Sequence, residues 1–131
     1  VRDSRYLKLV SGFGLYHMVA IAAFMLPVVS DRVWMLLGTI HQTLQLSGAW
    51  PSASSGQTMF VNLFACLAFL WGLLRFRHPS RLLGIYEGWG MLLFSGIVIY
   101  HVINGASLLW LIIPLVDLPG GLLHLYLQRN I

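Results

Sequence analysis

Polar residues interrupt this chain at intervals that leave four long apolar runs, about 7–29, 58–74, 82–104 and 107–128. A helix crossing a hydrocarbon core about 30 Å thick needs about 20 predominantly apolar residues. The pattern therefore predicts an all-α integral membrane protein, a bundle of four transmembrane helices in a single domain. The first run closes at Pro27 and the Ser30-Asp31-Arg32 cluster, residues that remove a backbone donor and favour a turn. Between runs one and two lies an outer loop, 30–57. Within it Trp34, Leu37, Ile40 and Leu44 recur at three- and four-residue steps, while Thr39, His41, Gln42, Thr43 and Gln45 make the segment too polar to span. A short amphipathic helix in the membrane interface, about 33–46, is expected there. The turn-rich SGAWPSASSGQ that follows reads as a loop.

Run two ends in a basic turn, Arg75-Phe-Arg77-His-Pro-Ser-Arg81, and Asn104-Gly105 marks a tight turn before run four. Run four contains Pro114, Asp117, Pro119, Gly120 and Gly121. Each proline frees a carbonyl four residues earlier, so a bend near Asp117 is expected in a helix that otherwise stays complete. The alternative ends the span at Val116 and lays Leu122 to Gln128 on the surface.

Composition agrees with the pattern. The chain has 131 residues, 58% hydrophobic and 9% charged, with mean hydropathy +0.79, whereas soluble domains carry about 25% charged residues. The formal charge is +4, but the basic residues fall at helix ends, where a membrane accounts for them without any nucleic-acid partner. Arg2, Arg5, Lys8, Arg75, Arg77, Arg81 and Arg129 share one face of a four-span protein, and only Arg32 lies on the other. The positive-inside rule makes the first face cytoplasmic, giving an inner (plasma) membrane protein with both termini inside. Trp34, Trp50 and Trp110 would mark the outer interface; Tyr6, Trp71, Tyr86, Trp89 and Tyr126 would mark the inner one. The basic N-terminus resembles a signal peptide's, yet its apolar run lacks a small-residue cleavage site and reads as a retained span. A lone cysteine, Cys66, excludes an internal disulfide and a CxxC site.

Ionisable groups inside spans normally face other helices or a wet cavity. At about 1.5 Å per residue, His17 and Asp117 come to a similar depth. Glu87 and His124 lie toward the cytoplasmic end; Asn62 and His101 lie toward the outer end. Asp117 and His124 are seven apart, Glu87 and His101 fourteen, so each pair shares a helix face. A polar seam is expected, with His17–Asp117 at its middle and Glu87–His124 below. Gly84 and Gly88 form a small-residue face on which another helix can lie close. SGFGLYH (11–17) and SGIVIYH (95–101) echo each other as SGxxxYH, consistent with a duplicated two-helix unit. The bland reading makes these polar groups mere inter-helix fasteners.

Neither a metal nor a resident cofactor is expected. His17 and His101 differ by about 10 Å in depth, which argues against a shared haem. No HxxxH, HExxH or cysteine cluster suggests zinc, no GxSxG suggests a hydrolase, and no Gly-rich phosphate loop occurs.

The plan of four spans, an outer amphipathic segment after the first and a basic turn after the second resembles small bacterial DoxX-like and BphX-like membrane proteins. NLFACLAFLWGLL (62–74), the basic turn and the histidine late in span three carry that likeness. It implies a membrane accessory role in electron-transfer or catabolic systems and supplies no catalytic residue. The expected function is that of a non-enzymatic accessory subunit or a binder of a lipophilic ligand, such as a quinone, a sterol-like molecule or an acyl chain. The ligand would meet His17, Asn62, Glu87, His101, Asp117 and His124. The alternatives are a membrane enzyme using the same groups for acid/base chemistry and a proton or ion pathway along the seam. Lipids, a homo-oligomer or a membrane-complex partner complete the expected associations.

Overall fold

The computed structural model describes residues 2–52 and 54–129, the Arg2 side chain excepted, so the part of the basic tally resting on Arg2 lies outside the described residues. Among the described residues there are five α-helices: α1 (Arg2–Ala22), α2 (Pro27–Thr43), α3 (Ser55–Arg77), α4 (Arg81–Ile103) and α5 (Ile112–Arg129). A 3₁₀ turn, Leu108–Leu111, leads into α5. Among the described residues three stretches are each long and apolar enough to cross a membrane: α3, α4 and Leu108–Arg129. A fourth is counted if the bent pair α1–α2 forms one span. Large apolar side chains, among them Val19, Phe60, Leu67, Leu93 and Leu115, are left exposed, while charged groups are buried. That inversion of the soluble pattern points to a membrane.

The first run is not one helix. Helix α1 stops at Ala22, and α2 leaves it at 89°. Pro27 opens α2 instead of closing the span, because at the first helical position its missing N–H is unpaired anyway. The amphipathic helix therefore begins at 27, six residues earlier than its polar pattern suggests. Asn62 holds the corner: its amide donates to the Phe24 carbonyl at 2.7 Å and to Ser30 Oγ at 2.9 Å.

Helix α3 outruns its apolar stretch at both ends. Ser54 accepts from the Gln57 N–H, and the Gln57 side chain accepts in return from the Ser54 N–H, a reciprocal cap that moves the start forward. Ser80 caps α4 by accepting from the Leu83 N–H. Helix α5 runs unbroken through Asp117–Gly121 with Pro119 inside it, so the complete-helix reading holds and the surface-segment alternative does not. Pro114 falls in the first turn of α5, where no intrahelical donor is required.

Residue contacts set an up-down order. Ser11 Oγ donates to the Phe76 carbonyl, and Gly72 meets Met18, so α1 and α3 run antiparallel. A Cβ on Gly14 would lie 2.7 Å from the Gly72 carbonyl, and one on Gly72 would lie 2.8 Å from the Gly14 carbonyl. These two helices therefore touch backbone to backbone, the usual device where lipid offers no hydrophobic drive. Helices α4 and α5 make a second such pair, a Cβ on Gly121 reaching the Gly88 carbonyl at 2.8 Å. The pairs meet through side chains: Tyr6 lies against Gly84, and Phe13 against Gly120. The small-residue face at Gly84 and Gly88 thus serves two neighbours, α1 and α5.

Over the end of the bundle that holds the α4–α5 turn lies a lid of tryptophans. Trp34, Trp50 and Trp110 sit with centroids 5.1–5.7 Å apart, and Trp50 stacks on Trp110. Beneath them His41 Nδ1 meets Ser107 Oγ at 2.6 Å. Backbone bonds from Ala49 to Gly105 and from Ser107 to Ala49 tie the loop to the α4–α5 turn.

Candidate functional site: a four-helix ionic cluster

Each long helix delivers one ionisable side chain to a common point. On α4 the buried residues Gly84, Glu87, Gly88, Met91 and Ser95 recur at three- and four-residue steps, so Glu87 is carried inward with the packing face. On α5, Pro114, Asp117, Gly120, Gly121 and His124 do the same for Asp117. On α3, Arg75 lies three residues beyond Gly72 on the buried face. His17 projects from α1 one turn past Gly14.

Arg75 Nη1 stands 2.6 Å from Glu87 Oε1, a close ion contact that lacks hydrogen-bond alignment. Arg75 Nη2 lies 2.9 Å from His17 Nδ1, and the same Nδ1 is 3.0 Å from Glu87 Oε1. The indole N–H of Trp71 donates to Glu87 Oε2 at 2.9 Å, and the guanidinium sits 5.8 Å above the Trp71 ring centroid. On the far side of the imidazole, Nε2 is 3.6 Å from Asp117 Oδ1.

A guanidinium only donates, so a neutral His17 accepts from Arg75 at Nδ1 and turns its Nε2–H toward Asp117. A protonated ring would donate from Nδ1 to Glu87 instead. The side chains of Arg75, Glu87 and Asp117 are 1%, 7% and 8% exposed, but His17 is 22% exposed. The cluster is closed on three sides and open at the imidazole.

Charge is divided by half. The α1–α3 pair brings His17 and Arg75; the α4–α5 pair brings Glu87 and Asp117. Two tightly packed helix pairs, cationic and acidic, are thus joined across a seam that is otherwise mostly side chain against side chain.

Of the six residues singled out in the sequence, the structure unites His17, Glu87 and Asp117. The His17–Asp117 pair forms; the expected Glu87–His124 pair does not. His124 Nδ1 bonds its own helix at the Gly120 carbonyl, 2.9 Å away, and its ring packs edge-on to Phe13, centroids 4.9 Å apart. Its Nε2 and the Tyr6 hydroxyl are buried without a protein partner. Asn62 belongs to the α1–α2 corner. His101 is exposed beside Tyr100; fourteen residues of helix leave it about 40° off the direction of Glu87. The SGxxxYH echo consequently puts its two histidines in different surroundings.

Arg75 is the residue sequence reasoning missed, having been assigned to a solvated basic turn. Its signal was its place on the Ala65–Gly72 face. Trp71 and Tyr6, read as interface anchors, instead turn their polar atoms inward; Tyr6 is 1% exposed. A hollow beside the α1–α2 corner, lined by Phe24, Ser30, Asp31, Trp34, Thr58 and Val61, includes none of the cluster residues.

Comparison with protein-family models, curated proteins and solved structures finds no match to this chain.

Proposed function

We propose that the chain is a four-span protein of the inner membrane that binds a lipophilic molecule by its polar head at the His17–Arg75–Glu87–Asp117 cluster and performs no chemistry on it. Helix α1 supplies the first span and α2 lies in the outer interface, with both termini cytoplasmic. Arg5, Lys8, Arg77, Arg81 and Arg129 then gather on the inner side. The DoxX-like layout belongs to the same proposal, as does an accessory role beside a membrane partner.

The observation that carries this reading is the opening at His17. A purely structural ion cluster is best sealed on every side, since each exposed edge invites competing partners. Here the edge that remains open, 22% exposed, belongs to the group able both to donate and to accept. A second reading, acid/base catalysis or proton movement, is favoured by the Tyr6 hydroxyl and His124 Nε2, both buried and unpartnered on the cytoplasmic side of the cluster.

Mass spectrometry of organic extracts from the purified protein tests the proposal. A defined lipophile near one per chain is expected, and Asp117→Leu should remove it. Extracts containing only bulk membrane lipid, unchanged by the substitution, would overturn the binding reading. A bound molecule that is chemically converted would move the assignment to the enzyme.

A further inference from the structure

Of the four carboxylate side chains in the sequence, Asp3 pairs with Arg81, Glu87 with Arg75 and Asp117 with His17. Asp31 has neither an ion pair nor a hydrogen bond among the described residues. It lines a groove of about 440 Å³ between the starts of α2 and α3, together with Pro27, Ser55, Thr58, Met59 and Asn62. The hydrogens of Thr58 and Asn62 are already committed. The Thr58 hydroxyl donates to the Ser54 carbonyl at 3.0 Å. Ser30 donates to the Pro27 carbonyl and so accepts from the Asn62 amide, which also donates to the Phe24 carbonyl. What Asn62 has left is its carbonyl oxygen. Beside Asp31 the groove thus offers acceptors: a carboxylate, a hydroxyl oxygen and an amide oxygen. Ser55 differs, because its N–H opens α3, where a helix has no acceptor of its own to give it.

We infer that this groove binds a phospholipid whose head carries a primary ammonium, a phosphatidylethanolamine. The N–H donors of the ammonium meet Asp31 and the Thr58 and Asn62 oxygens beside it, bonds that the charge strengthens. The phosphate lies toward Ser55, where the start of a helix favours an anion. Met59 and Leu63, 53% and 55% exposed, also line the groove and continue along α3 as a track for an acyl chain. The adjoining hollow shares Asp31 and Thr58 and is walled by Trp34, an aromatic group of the kind that attracts a cation. A trimethylated head keeps the positive charge but loses every N–H. A glycerol head has no cation for Asp31 and brings a net negative lipid against it. The site lies apart from the ionic cluster and does not depend on what binds there.

The test uses the full chain, delipidated in detergent, and four lipids with the same dioleoyl chains: phosphatidylethanolamine, its N,N-dimethyl derivative, phosphatidylcholine and phosphatidylglycerol. Native mass spectrometry at rising lipid concentration reads the affinity for the first lipid bound. Phosphatidylethanolamine is expected to bind about tenfold tighter than phosphatidylcholine, with the dimethyl lipid between them. Asp31→Asn should lower phosphatidylethanolamine to the level of phosphatidylcholine and leave the choline and glycerol lipids unchanged. Asp3→Asn, at an exposed acid paired with Arg81, serves as a charge control and should leave the ethanolamine preference intact. Helical circular dichroism verifies that both variants are folded. Equal binding of the ethanolamine and choline lipids overturns the inference, as does a preference that survives Asp31→Asn or that Asp3→Asn lowers equally. Displacement of the lipid by O-phosphoethanolamine at equal concentration would move the site to a soluble amine and overturn the lipid assignment. Absence of saturable binding by any of the four lipids overturns it as well.

Discussion

Glu87 is met by Arg75 at 2.6 Å, His17 at 3.0 Å and Trp71 at 2.9 Å, whereas Asp117 has His17 at 3.6 Å. Removing a partner from a buried ion pair leaves an uncompensated charge, at a cost of about 3–5 kcal/mol. Glu87→Leu strands Arg75 and should destabilise the protein by that amount. Asp117→Leu breaks one long contact and should cost at most about 2 kcal/mol, the upper range for polar contacts inside membranes. Denaturation of both variants in one detergent checks the order; a larger loss for Asp117→Leu would contradict it. Arg75 was illegible in the sequence because a basic run after an apolar stretch reads equally well as a solvated turn. Only the extra turn of α3 carries it inside. Glu87 and Asp117 were legible as buried, since helical periodicity fixes the face a residue occupies. Which residue each one meets depends on the axial offset between helices, and a single chain does not encode that offset locally. His124 therefore went to Phe13 and Gly120 instead of Glu87.

At the scale of elements, the two helix pairs owe their closeness to glycine. Gly14→Val would drive a side chain into the Gly72 carbonyl, 2.7 Å from the first added carbon. Overpacking of this kind costs about 1–3 kcal/mol, and the α1–α3 pair should lose at least that. Gly12, two residues earlier, has nothing within 4 Å of such a carbon, so Gly12→Ala should be neutral or slightly stabilising through helix propensity. Equal melting losses for Gly12→Ala and Gly14→Val would show that α1 and α3 do not touch at this face. The boundaries of α4 and of the Leu108–Arg129 stretch were readable because apolar runs end at caps and turns. The corner at 23–26 was not, since hydropathy continues through it and Pro27 serves a helix start as well as a helix end.

For the whole molecule, four crossings with α2 lying flat require the loop after α2 and the turn after α3 to emerge on opposite sides. In a Cys66→Ala background, Ser52→Cys should react with an impermeant maleimide from outside the cell, and His78→Cys only after permeabilisation. Both positions are exposed, and the capping bond of His78 to the Leu74 carbonyl runs through its backbone N–H, which the substitution keeps. Labelling of both from one side would remove a span. The central claim is that an α1–α3 pair carrying His17 and Arg75 is fastened to an α4–α5 pair carrying Glu87 and Asp117 by charges buried between them. A double-mutant cycle across that seam tests it most directly, with Arg75→Leu, Glu87→Leu and the double variant unfolded under identical conditions. Each single change should cost several kcal/mol and the pair together far less than their sum, giving a coupling of about 2 kcal/mol or more. Losses that add to within about 0.5 kcal/mol would mean that the two side chains do not meet, and that the halves are held by something else.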